Sequence, residues 1–114
     1  MNHAMKVTDG QFWKIVEGTK KIEVRIFDEK RKQIKLGDEI TFSNLKDVEK
    51  QVKVKVVGLS HFKSFKALFQ SLPCADLGSP CCDLVEQLEG MKKFYTLEQR
   101  KENDALAIHL SRIQ

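Results

Sequence analysis

Between Gly18 and Ile26 the chain reads Gly-Thr-Lys-Lys-Ile-Glu-Val-Arg-Ile, so Lys21, Glu23 and Arg25 alternate with Ile22, Val24 and Ile26 just after a glycine. In a strand, residues i, i+2 and i+4 share one side. The apolar set is therefore expected in a core and the three charges at a cleft or in water. Used functionally, Glu23 is a general base and Arg25 stabilises an oxyanion or a phosphate. Left unused, the two are an ion pair worth about 0 to 1 kcal/mol. Lys30, Arg31 and Lys32 with Lys35 form a second cationic group that can meet phosphates. Asp28 and Glu29 dilute its charge, and an ordinary solvated loop has the same composition.

Other side chains carry weaker signals. Lys53 and Lys55 share a strand face and make either a basic stripe or a solvated side. The Tyr95 phenol can reach a cleft. Phe12 and Trp13 are either core or a stacking surface, which contributes about 1 to 3 kcal/mol per base. His61 is either a proton shuttle or a structural residue at a strand-to-helix junction. Asp38, following Gly37, reads as a turn former. Cys74, Cys81 and Cys82 lack the spaced pairs of a zinc site. Reduced thiols and a site without metal or cofactor are expected.

Several elements must position these groups. Met5 to Thr8 is extended. Asp9 caps a helix carrying Phe12, Ile15 and Val16, which stops at Gly18. The Lys21 to Ile26 strand leads into a mobile, charged connector from Phe27 to Gln33. Gly37-Asp38 turns the chain into Glu39 to Phe42, which pairs antiparallel with the alternating Val52, Val54 and Val56. Ser64 caps a second helix, and Cys74 to Pro80 is a loop. A short helix runs from Asp83 to Glu89 and ends at Gly90. Thr96 with Gln99 forms a capping box, and Ala105 to Leu110 is a closing strand. The fold class is α+β, a small curled sheet or open barrel flanked by short helices.

A chain of 114 residues fits one domain, assigned here to residues 5–114, with 1–4 a disordered or vector-derived start. Hydrophobic content of 41% beside 32% charged residues argues against disorder. A formal charge of +4 favours polyanionic partners such as RNA. No apolar run is long enough to span a membrane and no signal-peptide core is present, so a cytoplasmic protein is expected.

The two glycine turns, Gly18-x-Lys20-x-Ile22-Glu23-x-Arg25 and Ile34-Lys35-x-Gly37-Asp38-x-Ile40-x-Phe42, resemble the ASCH domain, a branch of the PUA-like superfamily. The resemblance continues through Val56-Val57, Phe62-x-x-Phe65-x-x-Leu68-Phe69 and Tyr95-x-x-Glu98, and so spans nearly the whole chain. It implies a PUA-like, six-stranded or similar mixed barrel with a cleft under the Gly18 turn. It also implies binding of RNA, a nucleoside or a nucleotide. Some members look like amidohydrolases acting on N4-acetylcytidine, or like ribonucleases.

The working lysine of that amidohydrolase branch falls on Lys20, as base or nucleophile, while its threonine is replaced by Glu23. A carboxylate beside Lys20 holds the ammonium charged and argues against the threonine-dependent route. The branch's glutamate has no clear match, with Asp76, Glu86 and Glu98 as loose candidates. The expected binding set is thus Lys20, Lys21, Glu23, Arg25, Lys30, Arg31, Lys32, Lys35 and Tyr95, with Lys20 and Glu23 catalytic if the protein is an enzyme. A protein-interaction module, with a partner in transcription or translation, is the remaining reading.

Overall fold

The computed structural model describes residues 1–78 and 83–113. Five strands, β1 (Asn2–Val7), β2 (Ile22–Ile26), β3 (Glu39–Asn44), β4 (Gln51–Phe62) and β5 (Ala105–Arg112), form a single sheet ordered β1-β3-β4-β5-β2. β1 runs parallel to β3, and every other pairing is antiparallel. The helices are α1 (Asp9–Glu17), α2 (Phe65–Ser71), α3 (Leu84–Lys92) and α4 (Leu97–Glu102). The result is an α+β fold in which a curled half-barrel sheet is flanked by short helices. No described helix is long and apolar enough to cross a membrane.

Two cores lie on opposite faces of the sheet. Val52, Val54 and Val56 of β4 turn inward with Met5, Phe12, Ile40, Phe42, Leu106 and Ile108 to fill the barrel, while Lys53 and Lys55 stay exposed. Ala105 and Ala107, the alternate residues of β5, pack with Ile22, Ile26, Phe65 and Leu68 under the helices. β5 is thus covered on both faces, which explains its run of four buried residues. A register shift between Val56 and Gly58 bends β4. A Cβ at Gly58 would come within 3.1 Å of the His109 side chain, so the glycine makes room for that ring.

The capping signals hold where the side chain is short and correctly spaced. Ser64 Oγ accepts from the Ala67 amide at 3.1 Å, and Thr96 and Gln99 bond reciprocally at 2.8 and 3.1 Å. Asp9 departs from expectation. Thr8 takes the cap position, and Asp9, one residue inside α1, accepts instead from Asn44 Nδ2 at 2.9 Å and Trp13 Nε1 at 3.1 Å. Gly90 does not end α3, which continues to Lys92.

Other expectations are also corrected. Residues 2–4 belong to β1 and are held by the ladder to β3, and His3 Nε2 lies 2.8 Å from Asp38 Oδ2. Met1 is tied in as well, its carbonyl accepting from the Glu39 amide at 3.0 Å. The connector after β2 contains a 3₁₀ turn, Arg31–Gln33, stapled by Asp28 to the Arg31 amide at 3.0 Å and its guanidinium at 2.9 Å. A second 3₁₀ turn, Cys74–Leu77, occupies part of the expected loop. Cys74 is disulfide-bonded rather than a free thiol, and Cys81 and Cys82 lie outside the described residues. The sheet has five strands among the described residues, in keeping with the six-stranded or similar mixed barrel that the resemblance implies.

Candidate functional site

The half-barrel is open between its two outermost strands, β1 and β2, and one side chain crosses the opening. Arg25 Nη2 on β2 donates to the Lys6 carbonyl on β1 at 2.9 Å. Glu23 and Arg25 pair across β5 with Ile108 and Leu106, so they occupy the barrel side of β2, while Ile22 and Ile26 face the helices. The alternation therefore sorts as expected for Glu23 and Arg25. Lys21 precedes the strand and stays exposed, its backbone tied to Asp76 O and Leu110 N at 2.8 Å.

Gly18 ends α1 with φ of +83°, a conformation that glycine adopts without steric penalty. The turn delivers Lys20 into the interior, where it is 6% exposed. Lys20 Nζ donates to the Leu77 carbonyl at 3.0 Å and lies 3.1 Å from Glu23 Oε1. The other carboxylate oxygen accepts from Arg25 Nε at 3.0 Å and Nη2 at 2.8 Å. Two cations thus share one buried carboxylate, leaving a net positive cluster in a low-dielectric setting. Burial pushes the Glu23 carboxyl up, but the charges of Lys20 and Arg25 outweigh it and hold Glu23 below its ordinary value. Burial draws the Arg25 guanidinium down, and Glu23, aided by the Tyr95 phenol, raises it above its ordinary value. Glu23 is an ionised anchor with both oxygens engaged.

Around this cluster opens a pocket of about 570 Å³. Its walls come from the end of β1, α1, β2, both 3₁₀ turns, α3 and the segment leading to α4. Four cationic residues, Lys6, Lys20, Arg25 and Arg31, line it against two carboxylates, Glu23 and Glu86. Tyr95 lines it too and stacks on Phe65 with centroids 5.8 Å apart and planes 12° from parallel. Gly78, at φ of +74°, lets a wall approach closely: a Cβ there would lie 3.2 Å from Gln11 Oε1 and from the Lys20 stem. Lys14 Nζ holds that turn by donating to the Gly78 carbonyl at 2.6 Å.

Of the residues expected in the site, the pocket brings together Lys20, Glu23, Arg25, Arg31 and Tyr95. Lys30, Lys32 and Lys35 are exposed and do not line it, because the 3₁₀ turn directs only Arg31 inward. Among the loose acidic candidates Glu86 lines the pocket, whereas Asp76 and Glu98 do not. Sequence reasoning missed Lys6, Gln11 and Gln87. Among the described residues, Gln11 Oε1, Arg31 Nε and Gln87 Nε2 are the buried side-chain polar atoms without a hydrogen-bond partner, and all three residues line this one pocket.

Comparison with known proteins adds the lineage. The hypothetical protein PH0355, in its crystal structure, is 33% identical over 99% of this chain and 100% of its own, with a TM-score of 0.88. The solution structure of PF0455 from Pyrococcus furiosus is 26% identical over 100% of this chain and 99% of its own, at a TM-score of 0.77. A ZmASCH mutant protein from Zymomonas mobilis shares the fold at 13% identity and a TM-score of 0.62, over 99% of this chain and 69% of its own. Among curated proteins, none matches the chain. The profile of the ASCH domain matches residues 5–114, and with the curled PUA-like sheet and its cleft beneath the Gly18 turn, the chain belongs to the ASCH domain family.

Proposed function

We propose that the pocket binds one nucleotide unit, free or within RNA. The observation that carries this reading is the convergence of Gln11 Oε1, Arg31 Nε and Gln87 Nε2, unpartnered and buried, on one wall system. Each such group costs about 1 to 3 kcal/mol when left unsatisfied, so a ligand that supplies one donor and two acceptors relieves a standing penalty. Nucleobase edges carry that mixture. Tyr95 offers a face for stacking, and the excess of cations over carboxylates suits phosphate. The test is a binding screen with nucleosides, nucleotides and single- and double-stranded RNA. Salt-sensitive retention that Gln11→Ala and Gln87→Ala each weaken about tenfold supports the reading. No retention of any nucleoside and no salt-sensitive RNA binding sinks it.

A hydrolase acting on acylated nucleosides or on RNA is the second reading, favoured by the buried Lys20 ammonium in the pocket. Release of cytidine from N4-acetylcytidine, or cleavage of RNA, that disappears in Lys20→Ala and Glu23→Ala would promote it. Turnover surviving both substitutions removes this site as its seat.

A further inference from the structure

A second concavity, of about 230 Å³, lies between α2, α3 and α4. Its floor is apolar, formed by Phe65, Leu88 and Met91, and its rim carries the exposed Leu97 with Lys66, Arg100 and Lys101. No carboxylate is among its described lining residues, and among the described residues none of the three cations sits in an ion pair. The main pocket differs in that its central cations already share Glu23. Three unneutralised cations around an apolar floor suit an anion attached to a less polar body.

The two concavities share a wall. Met91 lines both, and the Tyr95 ring of the main pocket is stacked on the Phe65 ring of the smaller one. Met91 and the stacked Tyr95–Phe65 pair form the partition that a strand running from the main pocket to Lys66, Arg100 and Lys101 would cross. With less than half the volume of the main pocket, the smaller one does not duplicate its ligand.

We infer that the smaller pocket seats the neighbouring phosphate and ribose of a single-stranded RNA whose adjacent nucleotide occupies the main pocket. This rests on the nucleotide reading of the main pocket. The phosphate meets the three cations, and the sugar lies against Leu88, Met91 and Leu97. A single strand is required because a base held in the main pocket must be unstacked and unpaired. The ligand is then a run of nucleotides rather than a free nucleoside.

The test compares the unaltered protein with the triple variant Lys66→Gln, Arg100→Gln, Lys101→Gln. A charge-matched control, Lys46→Gln, Lys53→Gln, Lys55→Gln, alters residues that line neither pocket. The probes are the four nucleoside monophosphates and a labelled random-sequence RNA hexamer. The rim variant is expected to bind the hexamer at least about 10-fold more weakly at low salt, with the log-log salt slope reduced by about 0.7 for each phosphate no longer neutralised. Monophosphate affinity should be unchanged in the rim variant, and hexamer affinity much less affected in the control. Hexamer affinity equal in the rim variant and the unaltered protein overturns the inference and leaves the groove to an acidic peptide. Equal losses in the two triple variants also overturn it, as would a matching loss for monophosphates. Failure of the unaltered protein to bind any monophosphate or hexamer refutes the main-pocket reading itself, and this inference with it.

Discussion

β2 and β4 are written with the same alternation of charged and apolar residues and use it in opposite senses. In β4 the valines fill the barrel and Lys53 and Lys55 remain hydrated on the outside. In β2 the isoleucines lie under the helices, and the charged pair takes the barrel side beside Leu106 and Ile108. Pattern alone decides which residues share a face, not which face is wet. What decides is the covering layer: β2 packs its apolar face beneath α2 and the second 3₁₀ turn, so its polar residues are turned into the barrel mouth. A hydrated lysine needs no partner, whereas a buried carboxylate needs a complete one.

The contrast is most easily broken at Glu23. Glu23→Gln leaves Lys20 and Arg25 without their shared counter-charge and is expected to cost about 3 to 5 kcal/mol in urea unfolding. A loss below about 1 kcal/mol would mean that the cluster is as hydrated as the β4 lysines. Gly78→Ala comes next: a left-handed backbone and a Cβ 3.2 Å from Lys20 and Gln11 predict a loss of about 1 to 3 kcal/mol, with weaker ligand retention.

Acid titration sharpens the comparison further. The Glu23 carboxyl lies below its ordinary value, and Asp38 is lowered to about 2, chiefly by His3, then by the Lys35 amide and the N-terminus. Groups lowered on folding contribute stability that is complete above their unfolded values, roughly pH 4, and lost as pH falls through the folded ones. Urea midpoints should therefore fall between about pH 5 and pH 2, and Asp38→Asn should flatten part of that decline. Unchanged midpoints across this range would contradict both assignments. The smallest effect belongs to Lys53→Gln, expected within about 0.5 kcal/mol of the unaltered protein by the same measurement.

The alternation through β2, the two glycine turns, the capping box at Thr96 and the β4 alternation were legible because each is a local pattern with a local physical cause. Glu23 and Arg25 could be read for the same reason, whereas Lys20 was reached only through the family resemblance. Gln11 and Gln87 could not, since one polar residue on an amphipathic helix has no signature until packing turns it toward a cavity. The early part of β1 was invisible because its parallel pairing with β3 joins residues 37 positions apart, as in His3 with Ile40. Lys30 and Lys32 looked equivalent to Arg31 in sequence. A single 3₁₀ turn pinned by Asp28 separates them, admitting one guanidinium and leaving two ammonium groups outside.

The Arg25 bond to the Lys6 carbonyl also has a bearing on solubility. β1 and β2 are the two edges of the sheet, each a row of backbone groups able to recruit a foreign strand. Because the pocket occupies the seam between them, Arg25, one of the side chains that line it, also ties the two edges together. Loss of Arg25 would then expose strand edges to a second copy of the chain, and self-association, rather than a merely emptied pocket, would be the first sign of a damaged site.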